Sequence, residues 1–187
     1  MNPLPDGYTL ESVAASARRR DDARQAAVIA EACFQSAHDP AQMPINDATV
    51  TWLLNTLPAY WNLIKYRDTV IGSTLTLPTS RVLMQGFLCA DLTEADLWAA
   101  LRQAQSRSAE CCYLAGAALL APYRRQGLAL ASLQNSLEFF LAHDHPRPIV
   151  YGWVYSEEGR RFLPALRRWL AARGLVLLER RSAAPLG

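Results

Sequence analysis

The chain has 187 residues, 51% hydrophobic and 19% charged, with a formal net charge of +2. That is ordinary globular composition, enough for one domain spanning 1–187 with a real core, and near-neutral charge provides no field to draw nucleic acid or an anionic membrane. No apolar run approaches the roughly 20 residues that span a bilayer, MNPLPDGYTL lacks a basic-then-apolar leader, and Cys33, Cys89, Cys111 and Cys112 show neither CxxC spacing nor a disulfide framework, so a soluble cytoplasmic chain with reduced thiols is expected.

Gly7 to Val13 (GYTLESV) reads as a first short strand. Asp21 or Asp22 then caps a helix whose small and apolar residues recur at Ala23, Ala27, Ala30 and Phe34, a stripe of helical period. The polar segment HDPAQMP breaks it, and a second helix runs from about Asp47, with Val50, Leu53, Leu54 and Leu57 on one side and Pro58 as its stop. From Trp61 the pattern becomes a β-hairpin, turning at Arg67-Asp68, with a β-branched second strand from Val70 to Leu77 that ends at Pro78. In FLCADLTEADLWAALRQ a capping box, Thr93 with Asp96, opens a short helix.

Glu110 to Leu120 is apolar almost throughout, which marks a strand buried on both faces and therefore central in its sheet. Gly116 within it suggests a bulge or a close backbone approach. After Gly127 comes an amphipathic helix with Leu130, Leu133, Leu137, Phe140 and Leu141. A loop from His143 to Pro148, a strand from Ile149 to Tyr155, a helix from Leu163 to Arg173 and a strand from Val176 to Glu179 complete the chain. Pro164 either opens that last helix or kinks it, and Gly174 caps it. The sum is a mixed α/β domain with a central sheet and helices on both faces.

Between the buried strand and the amphipathic helix stands Arg124-Arg125-Gln126-Gly127-Leu128-Ala129. Helix starts carry unpaired N–H groups and partial positive charge, so they attract anions. Gly127 lets backbone approach a ligand closely, and two arginines suit a diphosphate. The Walker and dinucleotide patterns both require residues that are absent here. What matches is Arg/Gln-x-x-Gly-x-Gly/Ala, filled by Arg124, Gly127 and Ala129. Together with the element order from about Tyr8 to Glu179, this resembles the GNAT superfamily of N-acetyltransferases.

The resemblance implies a GNAT-like mixed sheet and the use of acetyl-CoA as co-substrate. It implies that Arg124, Arg125, Gln126, Gly127, Leu128 and Ala129 hold the pyrophosphate, mostly through main chain. Ala118, Leu119, Leu120 and Ala121 would pair with the pantetheine arm in a gap between the central strand and the next, with the Leu119 N–H or a neighbour near the thioester carbonyl. The reaction it implies is direct attack of an amine, from a small molecule or a peptide, on the thioester. Family members often carry a tyrosine four residues before the glycine that ends the last helix; here that position is Leu170. Tyr155 is the substitute candidate for the acid, followed by Tyr151 and Tyr113, and Glu110 or Glu157 is the candidate base. Trp52, Tyr60 and Trp61 are candidates to line the acceptor site. The sequence ends with one strand where relatives have a hairpin, so a homodimer supplying the missing strand is one expectation. A catalytically silent acyl-CoA sensor is the alternative function, on the strength of Leu170. The arginine runs Arg18-Arg19-Arg20 and Arg160-Arg161-Arg167-Arg168 lack interleaved exposed aromatics, so nucleic-acid binding is not expected. No metal is expected, because His143-Asp144-His145 lies in a proline-rich turn.

Overall fold

The computed structural model describes residues 4–104, 109–154 and 156–180. Its strands join one sheet in chain order: β1 (Tyr8–Ser12), β2 (Trp61–Tyr66), β3 (Thr69–Thr79), β4 (Cys111–Leu119), β5 (Ile149–Gly152) and β6 (Leu177–Glu179). The first four pair antiparallel, while β4, β5 and β6 are parallel. Helices α1 (Arg19–Phe34) and α2 (Asp47–Thr56) precede the hairpin, α3 (Arg81–Leu88) and α4 (Glu94–Gln103) link β3 to β4, and α5 (Leu128–His143) and α6 (Glu157–Ala171) connect the parallel strands.

Side chains of β2 establish that both faces are covered. The Asn62 amide donates to the Ser132 carbonyl at 3.2 Å and to Ser136 Oγ at 2.8 Å on α5, whereas the Lys65 ammonium reaches Asp22 of α1 at 2.5 Å. Positions an odd number apart on a strand face opposite ways. The sheet therefore lies between α1 and α5, the mixed α/β arrangement with helices on both faces that the sequence pattern predicts.

Several sequence expectations shift. The first helix starts at Arg19, so Asp21 and Asp22 lie inside its first turn and neither caps it. Asp22 is buried instead, held by Lys65 and by Ser16 Oγ at 2.5 Å. Pro78 does not end its strand. It pairs opposite Cys112 inside β3, beyond the last β2 pair at Trp61 and Leu75, where the missing N–H has no ladder bond to lose. Helix α3 was not anticipated, although Ser80 caps it by accepting from the Leu83 N–H. The last helix begins at Glu157, with Ser156 as its cap, so Pro164 falls in mid-helix. The Arg67-Asp68 turn is as expected, and both residues are left-handed, at φ 46° and 64°, the pattern of a tight hairpin turn. The Thr93–Asp96 capping box is present in both directions.

The only lysine sits at the centre of a buried polar cluster. Lys65 also bonds Glu11, and Ser16 Oγ is 3.3 Å away. Burial alone would raise the Asp22 carboxyl, but bonds from Lys65 and Ser16 and the charges of Lys65 and Arg18 outweigh it, so its pKa lies below 3.8. Likewise, the carboxylates hold Lys65 above its usual value despite burial. Breaking a buried pair by removing one partner costs about 3–5 kcal/mol. Asp22→Asn should lose stability of that order at neutral pH in denaturant unfolding. Because the Asp22 pKa is lowered on folding, its contribution is complete above 3.8 and is lost as pH falls through the folded value, so the gap between wild type and variant should narrow there.

Candidate functional site

β4 outruns β5. Parallel pairing ends at Leu114 opposite Gly152, yet β4 continues along β3 as far as Leu119 opposite Gly72. The chain leaves the sheet after Gly152, so the far edge of Ala115 to Leu119 has no strand beside it. Ala115 is an extra residue between Leu114, opposite Thr76, and Gly116, opposite Leu75, and such a bulge bends and twists its strand. Gly116 is also where the sheet meets α1 closely, since a Cβ there would lie 3.2 Å from the Phe34 ring.

The strand's alternation fixes which groups face the opening. Leu120 donates its N–H to the Ile71 carbonyl of β3 at 2.9 Å. Both main-chain groups of one residue point to the same edge, and neighbours alternate. The N–H and C=O of Leu119 therefore turn the other way, towards the opening. There the Leu119 carbonyl accepts from Arg124 Nε at 2.8 Å and from the Cys33 thiol at 3.9 Å.

Into this opening runs the segment that starts α5. Arg125 and Gly127 are both left-handed, with φ 66° and 77°, and no side chain caps the helix. A Cβ built at Gly127 meets nothing within 4 Å, so the corner is open. The first-turn N–H groups of α5 consequently face free space at the positive end of a 16-residue helix.

A cavity of about 840 Å³ joins these features, within the roughly 300–1,000 Å³ typical of small-molecule sites. Phe34 of α1 and Leu133 of α5 both line it, so it passes through the gap from one sheet face to the other. Of the ten residues expected to hold the co-substrate, Ala118, Leu119, Ala121, Arg124, Arg125, Gly127, Leu128 and Ala129 line this cavity. Leu120 does not; it is committed to Ile71. Gln126 does not either; its carbonyl oxygen accepts from Tyr8 OH at 2.9 Å. Arg124 spends its guanidinium on the strand end, and Leu128 is buried with Ile64, Ile71 and Leu119.

Among the described residues the candidate catalytic groups are not brought together. Tyr155 lies outside the described residues. Glu110 precedes β4, at the opposite end of the strand from Leu119, and pairs with Arg81 at 3.3 Å. Glu157 pairs with Arg161 on the exposed start of α6. Tyr151 is fully buried and donates to Thr79 Oγ1 at 3.0 Å, and burial pushes its phenol pKa far up. Of the three aromatic residues expected around the acceptor, Trp61 lines the cavity, Trp52 packs edge-on against Trp98, and Tyr60 bonds Asp144. Among the described residues no group of three or more His, Cys, Asp or Glu is placed to hold a metal, and no described helix is long and apolar enough to cross a membrane.

Glu94, which the sequence marks only as the first residue after a cap, also lines the cavity. Oε1 accepts from Tyr113 OH at 2.6 Å and Oε2 from the Met43 N–H at 3.0 Å. Burial pushes its carboxyl above the usual value, against the pull of those two bonds; Asp39 adds to the rise and Arg180 opposes it. Burial and the neighbouring carboxylate keep the Tyr113 phenol protonated. Met43 and Tyr113 are far from Glu94 in sequence, which is why no local motif reveals the cluster.

No family model and no curated protein matches the chain. Among solved structures it is similar to the loading GNATL domain of CurA from Lyngbya majuscula, with 14% identity and a TM-score of 0.46. The match covers 71% of this chain and 57% of that one, so the chain spans little more than half its length.

Gly127→Ala should cost about 1–2 kcal/mol, from forcing a side chain into the left-handed region with no clash to add to it. Thermal unfolding should show a loss of a few degrees for a chain of this size; an unchanged midpoint would contradict this backbone geometry.

Proposed function

We propose that the chain is an acyltransferase that takes its acyl group from acetyl-CoA and passes it to an amine. The observation that carries this reading is the continuity of the cavity from the open α5 start to the unpaired edge of β4. The residues fit the co-substrate. A diphosphate suits the uncapped N–H groups beside Gly127, with Arg125 exposed nearby. An extended amide-bearing arm suits a strand edge whose backbone groups otherwise lack a ladder, the way a peptide adds to a sheet. Coenzyme A, when bound, supplies an activated thioester.

This chain's own groups then have defined work. Main chain at Arg125 to Ala129 binds the anion. The Leu119 N–H, turned towards the gap, is a donor for an oxygen that gains negative charge. Arg124 holds the strand end through the Leu119 carbonyl and so orients that donor. The acceptor is a small molecule or a peptide, and the four free cysteines fit a reducing cytoplasm. One observation favours the silent sensor instead: Leu170, at the position where GNAT members often carry the acid, is 1% exposed and wholly committed to the core.

Calorimetry with coenzyme A, followed by a thiol-release assay with acetyl-CoA over a panel of amines, separates the two. Binding with turnover supports the transferase, binding without turnover supports the sensor, and no binding overturns both. Gly127→Asp sharpens the test. Aspartate suits a helix cap and tolerates the left-handed region better than most residues, so folding should survive. Its charge would occupy the diphosphate position, and affinity for coenzyme A should fall at least tenfold.

A further inference from the structure

With the Leu119 N–H as donor for the thioester oxygen, the groups beside Leu119 are the ones that meet the acyl carbon. One of them is a nucleophile. Cys33, in the last turn of α1, lines the cavity half-buried, and its sulfur lies 3.9 Å from the Leu119 carbonyl oxygen. The N–H and C=O of one residue share an edge of the strand, so the thiol overhangs the same opening as the donor. Arg124 Nη2 reaches that sulfur at 3.6 Å while its Nε holds the Leu119 carbonyl. The C-terminal end of a helix disfavours negative charge. The guanidinium supplies the opposing charge for a sulfur that attacks and later leaves.

The other cysteines are placed for nothing of the kind. Cys111 and Cys112 are wholly buried, and burial pushes both thiols up. Cys89 is exposed at the end of α3, away from the cavity wall. The side of the cavity under α1 also carries the mark of a ligand. Thr49 of α2, which packs on α1, lines it and is 3% exposed, yet its hydroxyl finds no partner in the protein. Buried polar groups are nearly always paired, so this hydroxyl is left for a polar group that an occupant of the cavity brings.

The geometry points to Cys33 as a catalytic nucleophile that takes the acyl group onto its own sulfur and then passes it to the amine, which enters under α1 past Thr49. This deepens the acyltransferase reading and rests on it. In the first transfer the Cys33 sulfur bonds the acyl carbon and the carbon–sulfur bond to coenzyme A breaks. Coenzyme A leaves with the bonding electron pair and receives the Cys33 thiol proton. Attacking and leaving groups are both alkyl thiols, so the exchange is nearly balanced and one difficult step becomes two easier ones. In the second transfer the amine nitrogen bonds the acyl carbon and the Cys33 sulfur leaves with its pair. One proton of the original ammonium goes to solvent and another ends on that sulfur, so amide, coenzyme A thiol and one proton result. Tyr151, Glu110 and Glu157 are committed elsewhere, and this route dispenses with a separate acid for the departing thiol.

The test uses the full chain as wild type, Cys33→Ala and Cys89→Ser, with no amine present. Coenzyme A binding is measured first by calorimetry, and all three proteins should bind. Each is then mixed with acetyl-CoA, quenched in acid and read by intact mass and peptide mapping. In parallel, passage of label from tritiated coenzyme A into acetyl-CoA is followed. Wild type and Cys89→Ser should gain one acetyl group on Cys33, removable by hydroxylamine, and should catalyse the label exchange, which requires the acyl group to part from coenzyme A before any amine arrives. Cys33→Ala should gain none, and its exchange should be slower by about a hundredfold or more. Wild type unfolded in guanidinium should acetylate far more slowly, which separates catalysis from the ordinary chemistry of a thiol. Coenzyme A binding with neither exchange nor acetylated Cys33 in wild type overturns this inference alone, as does exchange that persists in Cys33→Ala. No coenzyme A binding in any of the three overturns the acyltransferase reading and this inference with it. Should Cys33→Ala fail to fold, the mapping in wild type decides: an acetyl group on Cys89, or on no cysteine, overturns the proposal.

Discussion

A strand that continues after its neighbour has stopped leaves a row of main-chain donors and acceptors facing nothing regular, and that is the constraint around which this molecule is organised. β5 has four residues and β4 has nine. Unpaired polar backbone in a protein interior is costly, so it must meet water, side chains or a ligand. Here two side chains, from Arg124 and Cys33, take up the Leu119 carbonyl. The rest of the edge borders a cavity continuous with the start of α5. Everything proposed about function descends from this mismatch in strand length, because it joins an extended polar edge to an anion-attracting helix end.

The surrounding structure keeps the gap open. On one side, α1 is fixed to β2 by the buried Lys65–Asp22 pair, which sets the height of Ala27, Ala30 and Phe34 above the sheet. On the other, Leu128 anchors the first turn of α5 among Ile64, Ile71 and Leu119. The helix start is therefore positioned by an apolar residue, while its free N–H groups point away from the core. Arg124 does more than its charge suggests. It acts as a strut between the loop and the strand end, and because the Leu119 carbonyl is neutral its charge still adds to that of Arg125 and of the helix start.

Much of this was legible because it rests on local chemistry. The hairpin turn needs two left-handed residues at one place, the Thr93–Asp96 box spans three positions, and Gly127 answers to one backbone angle; each leaves a mark within a few residues. The central position of β4 was legible from its lack of alternation. What escaped depends on contacts distant in sequence. Asp22 looks like a cap until Lys65, 43 residues on, is found against it. Glu94 looks like ordinary first-turn acid until Tyr113 and Met43 arrive from other elements. Glu110 looked suitable because it adjoins the central strand, but it adjoins the wrong end. The start of α6 is marked locally by Ser156 and two acidic residues, but Pro164 in mid-helix imitates a later boundary.

Crystals grown with coenzyme A offer the most direct measurement. The diphosphate should lie against the main-chain N–H groups from Arg125 to Ala129, with the arm along Ala115 to Leu119 in the gap beyond Gly152. Coenzyme A bound anywhere else, or the gap closed by protein with the first turn of α5 bare, would contradict it.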